Sequence, residues 1–236
     1  MDNKIRLNKY LAERLGVSRR EADDLIASGR VFVNEKPAIL GAQIDKKDKV
    51  CYNNKIVQFD NTFLYLAMNK PKGYVCSRRA QGDAPTLYDL LPEKYRKLKT
   101  VGRLDKDSSG LILLTNDGDF AFSMTHPKFH KEKTYEIELD RGLTPLHQQM
   151  ISDFGIDLDD GKSKFTVIRD EDYNDRKHFT VILSEGRNRQ IRRTFVAVGY
   201  RVINLHRIKF GPFELSDLKP SETTEISPTT IQKLKR

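Results

Sequence analysis

Four consecutive apolar residues, Leu111-Ile112-Leu113-Leu114, stand between two polar clusters, and this placement constrains the chain more than any other stretch. Upstream lies Gly102-Arg103-Leu104-Asp105-Lys106-Asp107-Ser108-Ser109-Gly110, and downstream lies Asn116-Asp117-Gly118. A short apolar run bounded by Gly, Asn, Asp and Ser reads as a buried strand. Asp105 then sits on the shoulder of a rigid element, where a reactive carboxylate is best held. The spacing Asp105-x-Asp107-x-Ser109-Gly110 also imitates the opening of a calcium loop. The last ligand position of such a loop falls on Asn116, where a bidentate glutamate belongs, and apolar side chains fill the later positions. Calcium is rejected on that chemistry, which leaves a plain turn or a functional carboxylate.

At 236 residues the chain is long enough for one large or two modest domains, and 38% hydrophobic residues supply a core. Lys and Arg exceed Asp and Glu by 42 − 33 = 9, which suits an anionic partner. The opening MDNKIRLNKY lacks the apolar stretch of a secretory signal, and no run approaches the roughly 18 apolar residues of a membrane span. No membrane association is expected. Cys51 and Cys76 make no disulfide framework and match no metal spacing, which fits a reducing cytoplasm. His126 and His130 are interrupted by Pro127 and have no companion ligand cluster, so no metal site is expected.

The first sixty residues read as a separate, α-rich module. Leu7, Tyr10, Leu11 and Leu15 recur at helical spacing, and Gly16 ends the run. Ser18-Arg19-Arg20-Glu21 has the form of a capping box opening a second helix, with Ala22, Leu25 and Ile26 inward and Gly29 as its stop. Val31-Phe32-Val33 followed by Asn34-Glu35-Lys36 reads as a strand and a turn. Arg19 and Arg20 fall in the first helical turn, where the helix dipole disfavours cations. A bound phosphate would offset that cost, although a solvated basic face is the simpler reading of Arg6, Lys9, Arg19 and Arg20. A linker is expected at 57–62, giving domains of residues 1–60 and 61–236.

Beyond it, strands are expected at 63–68, 111–115, 135–139 and 179–183, and helices at 120–124, 145–151 and 188–198. The mixture indicates an α+β fold with a mostly antiparallel sheet.

GRLDKDSSGLILLTNDG resembles the catalytic motif of the pseudouridine synthases, in the RsuA-like branch that modifies ribosomal RNA. The resemblance extends to Asn69-Lys70-Pro71-Lys72-Gly73, to Lys133-Thr134-Tyr135, and to Glu185-Gly186-Arg187-Asn188-Arg189-Gln190-Ile191-Arg192-Arg193. These motifs stand in the family's order. Residues 5–50 likewise resemble the small αL RNA-binding module first seen in a ribosomal protein, and this resemblance favours RNA binding by Arg19 and Arg20 over a merely solvated face. The resemblance implies an enzyme that turns a uridine of ribosomal RNA, or of a pre-ribosomal particle, into its C-glycoside isomer, as a monomer. Breaking the N1–C1′ bond, turning the uracil and rejoining at C5 is redox-neutral, so no cofactor is expected.

By the same resemblance Asp105 is the catalytic carboxylate, acting as nucleophile or as base. Arg192 would pair with it, and Tyr135 would stack on the uracil, although Tyr135 also fits an ordinary amphipathic strand. Arg103, two residues before Asp105, would share its face in an extended segment and hold the flipped nucleotide out. Lys70 is expected in a tight turn at the site, either touching substrate or shaping the hairpin. Arg187, Arg189 and Arg193 are candidate phosphate contacts, and Arg192 and Arg201 could be phosphate contacts on the same basic stretch in place of that pairing. Leu205 and Ile208, in a late strand, are expected as pocket wall and core. Ala84-Pro85-Thr86-Leu87 and Glu185-Gly186-Arg187-Asn188-Arg189 look closer to members acting on large-subunit RNA; small-subunit RNA and transfer RNA are the alternatives. A non-catalytic RNA-binding protein would explain residues 5–50 but not the later motifs. A Rossmann methyltransferase, a phosphoryl-transfer enzyme or a tyrosine-activating synthetase would need nucleotide-binding loops that the sequence lacks.

Overall fold

The computed structural model describes residues 4–58, 63–78, 82–172 and 174–234. The chain divides into two compact units, residues 1–64 with 116–118, and residues 65–115 with 119–236.

In the first unit β1 (Ile5–Arg6) leads into α1 (Leu7–Leu15), and α2 (Arg19–Ala27) follows. Leu7, Tyr10 and Leu11 turn inward at helical spacing, and Gly16 stops α1 in the left-handed conformation at φ 72°. The Ser18 hydroxyl accepts from the Glu21 amide at 3.1 Å, and the Glu21 carboxylate accepts from the Ser18 amide at 2.7 Å. A cap of this kind contributes about 1 kcal/mol. The rest of the unit is β2 (Val31–Val33), β3 (Lys36–Pro37), β4 (Gln43–Ile44), β5 (Val50–Tyr52) and β6 (Lys55–Ile56). Strand β4 pairs with β1, and the others form an antiparallel sheet in the order β3-β2-β5-β6. Asn34-Glu35 and Asn53-Asn54 all have positive φ, the tight-turn geometry that matches strand twist. The Tyr10 hydroxyl donates to the Val57 carbonyl at 2.7 Å. Burial pushes its pKa up to about 12. Val57, placed in the linker by sequence, is thus part of the first core, and residues 59–62 of that linker lie outside the described residues.

The second unit contains β7 (Tyr65–Lys70), β8 (Lys99–Val101), β9 (Ser109–Thr115), α3 (Gly118–Thr125) from its second residue on, β10 (Lys133–Leu139), α4 (Pro145–Gln149), β11 (Ile156–Leu158), β12 (Gly161–Ser163), β13 (Thr166–Arg169) and β14 (His178–Leu183). It is completed by α5 (Gln190–Ala197), β15 (Val202–Phe210), β16 (Phe213–Glu214), β17 (Thr223–Glu225) and α6 (Pro228–Leu234). The main sheet runs β13-β14-β10-β15-β9-β7-β17, with β8 against β9 and β16 against β15. Residues 110–115 of β9 are all buried, which explains a continuous apolar run in place of alternation. Strand β14 alternates buried and half-buried positions from His178 to Leu183. The expected α+β class with a mainly antiparallel sheet is what the chain forms.

The helix expected at 145–151 stops at Gln149 and widens into a π-helical turn, Met150–Phe154, closed by the Gly155 amide on the Met150 carbonyl at 2.8 Å. Among the described residues β9 and β15 are the parallel pair of the main sheet, with Gly110 opposite Arg207. Gly110 has φ 104°, and a side chain there would overlap the Arg207 backbone. Glycine at 110 is what lets the two strands approach. The same pairing sets Ser109 opposite His206. No helix among the described residues is long and apolar enough to cross a membrane.

Candidate active site

Within the second unit a cavity of about 430 Å³ opens over the sheet where the segment before β9, β10, β15 and the start of α5 converge. Its lining includes Arg103, Asp105, Lys133, Tyr135, Arg189, Arg192 and Arg207. Between β8 and β9 Leu104 is buried while Arg103 is exposed and Asp105 half-buried, and all three line the cavity. The Asp105 side chain is 34% exposed.

Lys70, at the end of β7, fixes this segment from beneath. Its side chain is fully buried, and Nζ donates to the carbonyls of Pro71 at 3.0 Å, Asp105 at 3.2 Å and Ser108 at 2.8 Å. Burial lowers its pKa, with the charges of Cys76, Asp105 and Asp107 pulling the other way. The expected substrate contact is therefore replaced by a backbone clamp: a lysine with no exposed surface does not reach RNA, but it holds the Asp105 main chain in place.

The arginines of the last motif also sort differently from the expectation. Arg189, at the N-cap of α5, adopts a left-handed backbone at φ 45°. This turns its guanidinium toward the strand shoulder, with Nη1 lying 3.4 Å from Asp105 Oδ2 and two bonds of 3.0 Å reaching Asp107. Arg192, expected at Asp105, spends its donors on the Val202 carbonyl at 2.7 Å and the Asp107 carbonyl at 2.9 Å. Its Nε lies 3.4 Å from the Asp107 carboxylate. Burial lowers the Arg192 pKa, while the nearby charges of Asp107 and Asp105 offset part of that. Hydrogen bonds from Arg189, with the Arg192 charge, hold the Asp107 carboxyl below its usual range. Asp105 is thus contacted directly by Arg189 and feels Arg192 through space.

Arg187 and Arg193, read as phosphate contacts, are occupied within the chain. Arg187 Nη1 donates to Asp160 Oδ1 at 2.8 Å and to the Gly161 carbonyl at 2.9 Å, and Nη2 donates to the Lys162 carbonyl at 2.9 Å. Arg193 meets Asp159 at 2.5 Å and Asp160 at 2.6 Å. Both brace the β11–β12 hairpin, whose polar Asp159-Asp160-Gly161 turn gives no sequence hint of such partners. Arg19 and Arg20 lie in the first unit, exposed in the opening turn of α2.

Tyr135 is 8% exposed and faces the cavity from β10. Its pairing with β15 has a register irregularity between Thr134 and Tyr135, a feature common beside functional sites. Leu205 supplies apolar wall, whereas Ile208 is half-buried and not part of the lining. Two cations were given no role from sequence. Arg207 is 2% exposed, lies 6.0 Å over the Tyr135 ring and donates Nε to the Leu111 carbonyl at 2.7 Å. Lys133 donates to the carbonyls of Lys131 at 3.2 Å and Glu185 at 3.3 Å. Burial, with Arg207 nearby, lowers its pKa to about 8. The usable signal for both was a basic residue at an inward position of a strand.

One cavity thus brings together the Asp105 carboxylate with Arg189 beside it, the Tyr135 ring, and the cations Arg103, Lys133 and Arg207. Residues 64–197 match the RNA pseudouridylate synthase family, and residues 5–50 match the S4 domain. The chain belongs to the RNA pseudouridylate synthase family and is an enzyme of that class. It is 37% identical over 218 residues to ribosomal small subunit pseudouridine synthase A of Pasteurella multocida, covering 90% of this chain and 91% of that one. It is 32% identical over 234 residues to ribosomal large subunit pseudouridine synthase B of Bacillus subtilis, covering 98% and 95%. A crystal structure of a pseudouridylate synthase superposes with a TM-score of 0.69 at 32% identity, covering 98% of this chain and 99% of that one.

Proposed function

We propose that this protein isomerises a uridine of ribosomal RNA to pseudouridine, with Asp105 as the catalytic carboxylate. The observation that carries the reading is the clamp on Asp105: Lys70 fixes its carbonyl from below, and Arg189 lies 3.4 Å from its carboxylate. An ionised carboxylate in a partly dehydrated cleft needs such cations. It can then act on the sugar or the base as the N1–C1′ bond opens. Tyr135 is the ring on which the uracil stacks, and Arg103 is placed to keep the nucleotide out of its RNA stack. Arg192 supports the carboxylate pair through Asp107, with Arg207 as a cationic wall behind Tyr135. Arg19 and Arg20 serve RNA docking. The two named relatives act, by their names, on RNA of different ribosomal subunits. The Glu185–Arg189 wording favours the large subunit, and pseudouridine mapping of ribosomal RNA from cells lacking the gene assigns it.

The reaction releases the C5 hydrogen of uracil, so RNA tritiated at C5 reports turnover. Asp105→Asn keeps shape and polarity but removes the charge. Tritium release is expected to fall by at least about a hundredfold, with RNA affinity within a few-fold of the parent. Near-parental release by the Asn variant, free of deamidated protein, would reject Asp105 as the catalytic group.

A further inference from the structure

The α3 helix buries Phe120 and Met124, and Phe120 packs edge-on against Tyr65 and Phe213. Phe122 lies two residues from each, about 200° around the helix, and points away from that core. It is 47% exposed, and Phe129, in the turn that follows α3, is 39% exposed. The two rings meet edge-to-face at 5.8 Å, and His126 lies 4.6 Å from Phe122. Lys128 spans them, with Nζ 5.2 Å from the Phe122 centroid and 4.8 Å from that of Phe129. Single exposed aromatics are ordinary; two phenyl rings sharing one ammonium, with an imidazole beside the first, make a surface suited to a particular ligand.

Two features select that ligand. No acidic residue occurs between Asp119 and Glu132, whereas His126, Lys128, His130 and Lys131 do. The patch also continues into the cavity: Thr125 and Pro127 line it together with Arg103, and Thr125 Cγ2 would lie 3.5 Å from a side-chain carbon placed on Gly102. We propose that Phe122, His126 and Phe129, with Lys128, form a stacking platform for an unpaired nucleotide that flanks the target uridine. Base faces stack on aromatic rings with little sequence preference, and the ammonium meets the adjoining phosphate. The proposal rests on the reading of this cavity as the uridine site and adds where the neighbouring strand runs.

The chain has no tryptophan, so Phe129→Trp installs a single reporter in the full-length protein. Single-stranded oligouridylate and an abasic oligomer of equal length and charge are the probes. Oligouridylate is expected to quench the new fluorescence, and the abasic oligomer to leave it nearly unchanged. In a second protein, Phe122→Leu combined with Phe129→Leu, affinity for oligouridylate is expected to fall about tenfold while that for the abasic oligomer holds. Equal responses to both probes would mean that only phosphate is sensed, and no response would mean that the patch is not used; either overturns the platform. Fluorescence that changes with protein concentration alone would assign the patch to self-association and overturn it too. C5-tritium release by the parent is measured alongside. Its absence would reject the isomerase reading, while the stacking comparison is judged on the oligomers alone.

Discussion

Lys133 gives the sharpest test of the pocket's electrostatics, because its neighbours act on it in a direction that can be read from stability. Burial, aided by the Arg207 charge, lowers its pKa from 10.5 to about 8. At pH 7 the lysine is protonated in both folded and unfolded chains, and the folded state bears the cost of an unwelcome charge. Between pH 8 and 10.5 the folded lysine has lost its proton while the unfolded one keeps it. The unfolded state then binds more protons, so stability rises with pH across that window and is level on either side. At about 1.4 kcal/mol per pKa unit, the rise attributable to Lys133 is about 3 kcal/mol. Other groups titrate here, tyrosines included, so the informative quantity is the difference between the parent and Lys133→Met. Urea unfolding by circular dichroism at several pH values from 7 to 11 supplies it. The Met protein loses two carbonyl contacts, which offsets its curve by a constant, but the gap to the parent should shift in the parent's favour by about 3 kcal/mol as pH rises. A gap that stays flat would show that the lysine titrates as if in water and that neither burial nor Arg207 acts on it.

Further outcomes follow from other contacts. Replacing Arg187 by Met removes bonds to Asp160, Gly161 and Lys162, and should cost about 1–3 kcal/mol in denaturant unfolding while leaving the salt slope of RNA binding in place; a flattened slope with unchanged stability would restore Arg187 as a phosphate contact. Exchanging both Arg19 and Arg20 for Gln should flatten that slope by about 0.7–0.9 for each phosphate released, as read from binding at several salt concentrations; an unchanged slope would leave these arginines as solvated surface. Gly110→Ala forces a methyl into the Arg207 backbone and should give a protein unfolded or cleaved under conditions the parent survives, which limited proteolysis would show; a fully stable Ala variant would refute the close crossing.

Elements with strong local signals were legible in the sequence. The capping box of α2, the helical stripe of α1 and the apolar run of β9 each state their structure within a dozen residues. Hairpin β11–β12 did not, since Gly161-Lys162-Ser163 is polar and is ordered by distant arginines. The positions of Asp105, Arg103 and Tyr135 around one cavity follow from motifs the chain displays openly. Which arginine touches Asp105 does not, because the answer turns on one left-handed backbone at Arg189, a residue type that carries no such preference. Lys70 illustrates the converse problem. A lysine beside Pro and Gly reads as a surface turn, and only the carbonyls of Pro71, Asp105 and Ser108, from two separate segments, reveal it as an internal clamp.

The strand order bears on how the protein is born. Strand β7 opens the second unit but takes β17 as its outer neighbour, and the Asn69 side chain donates to the Leu218 carbonyl, 149 residues further along. On the ribosome, residues 4–58 emerge with all the partners of their own core, while the outer edge of β7 waits for nearly the whole remaining chain. For that interval the nascent polypeptide carries an exposed helix start with two arginines and no closed cavity. On the docking role proposed for Arg19 and Arg20, a stalled or truncated product would hold RNA without altering it, and so would compete with the finished enzyme for its own substrate.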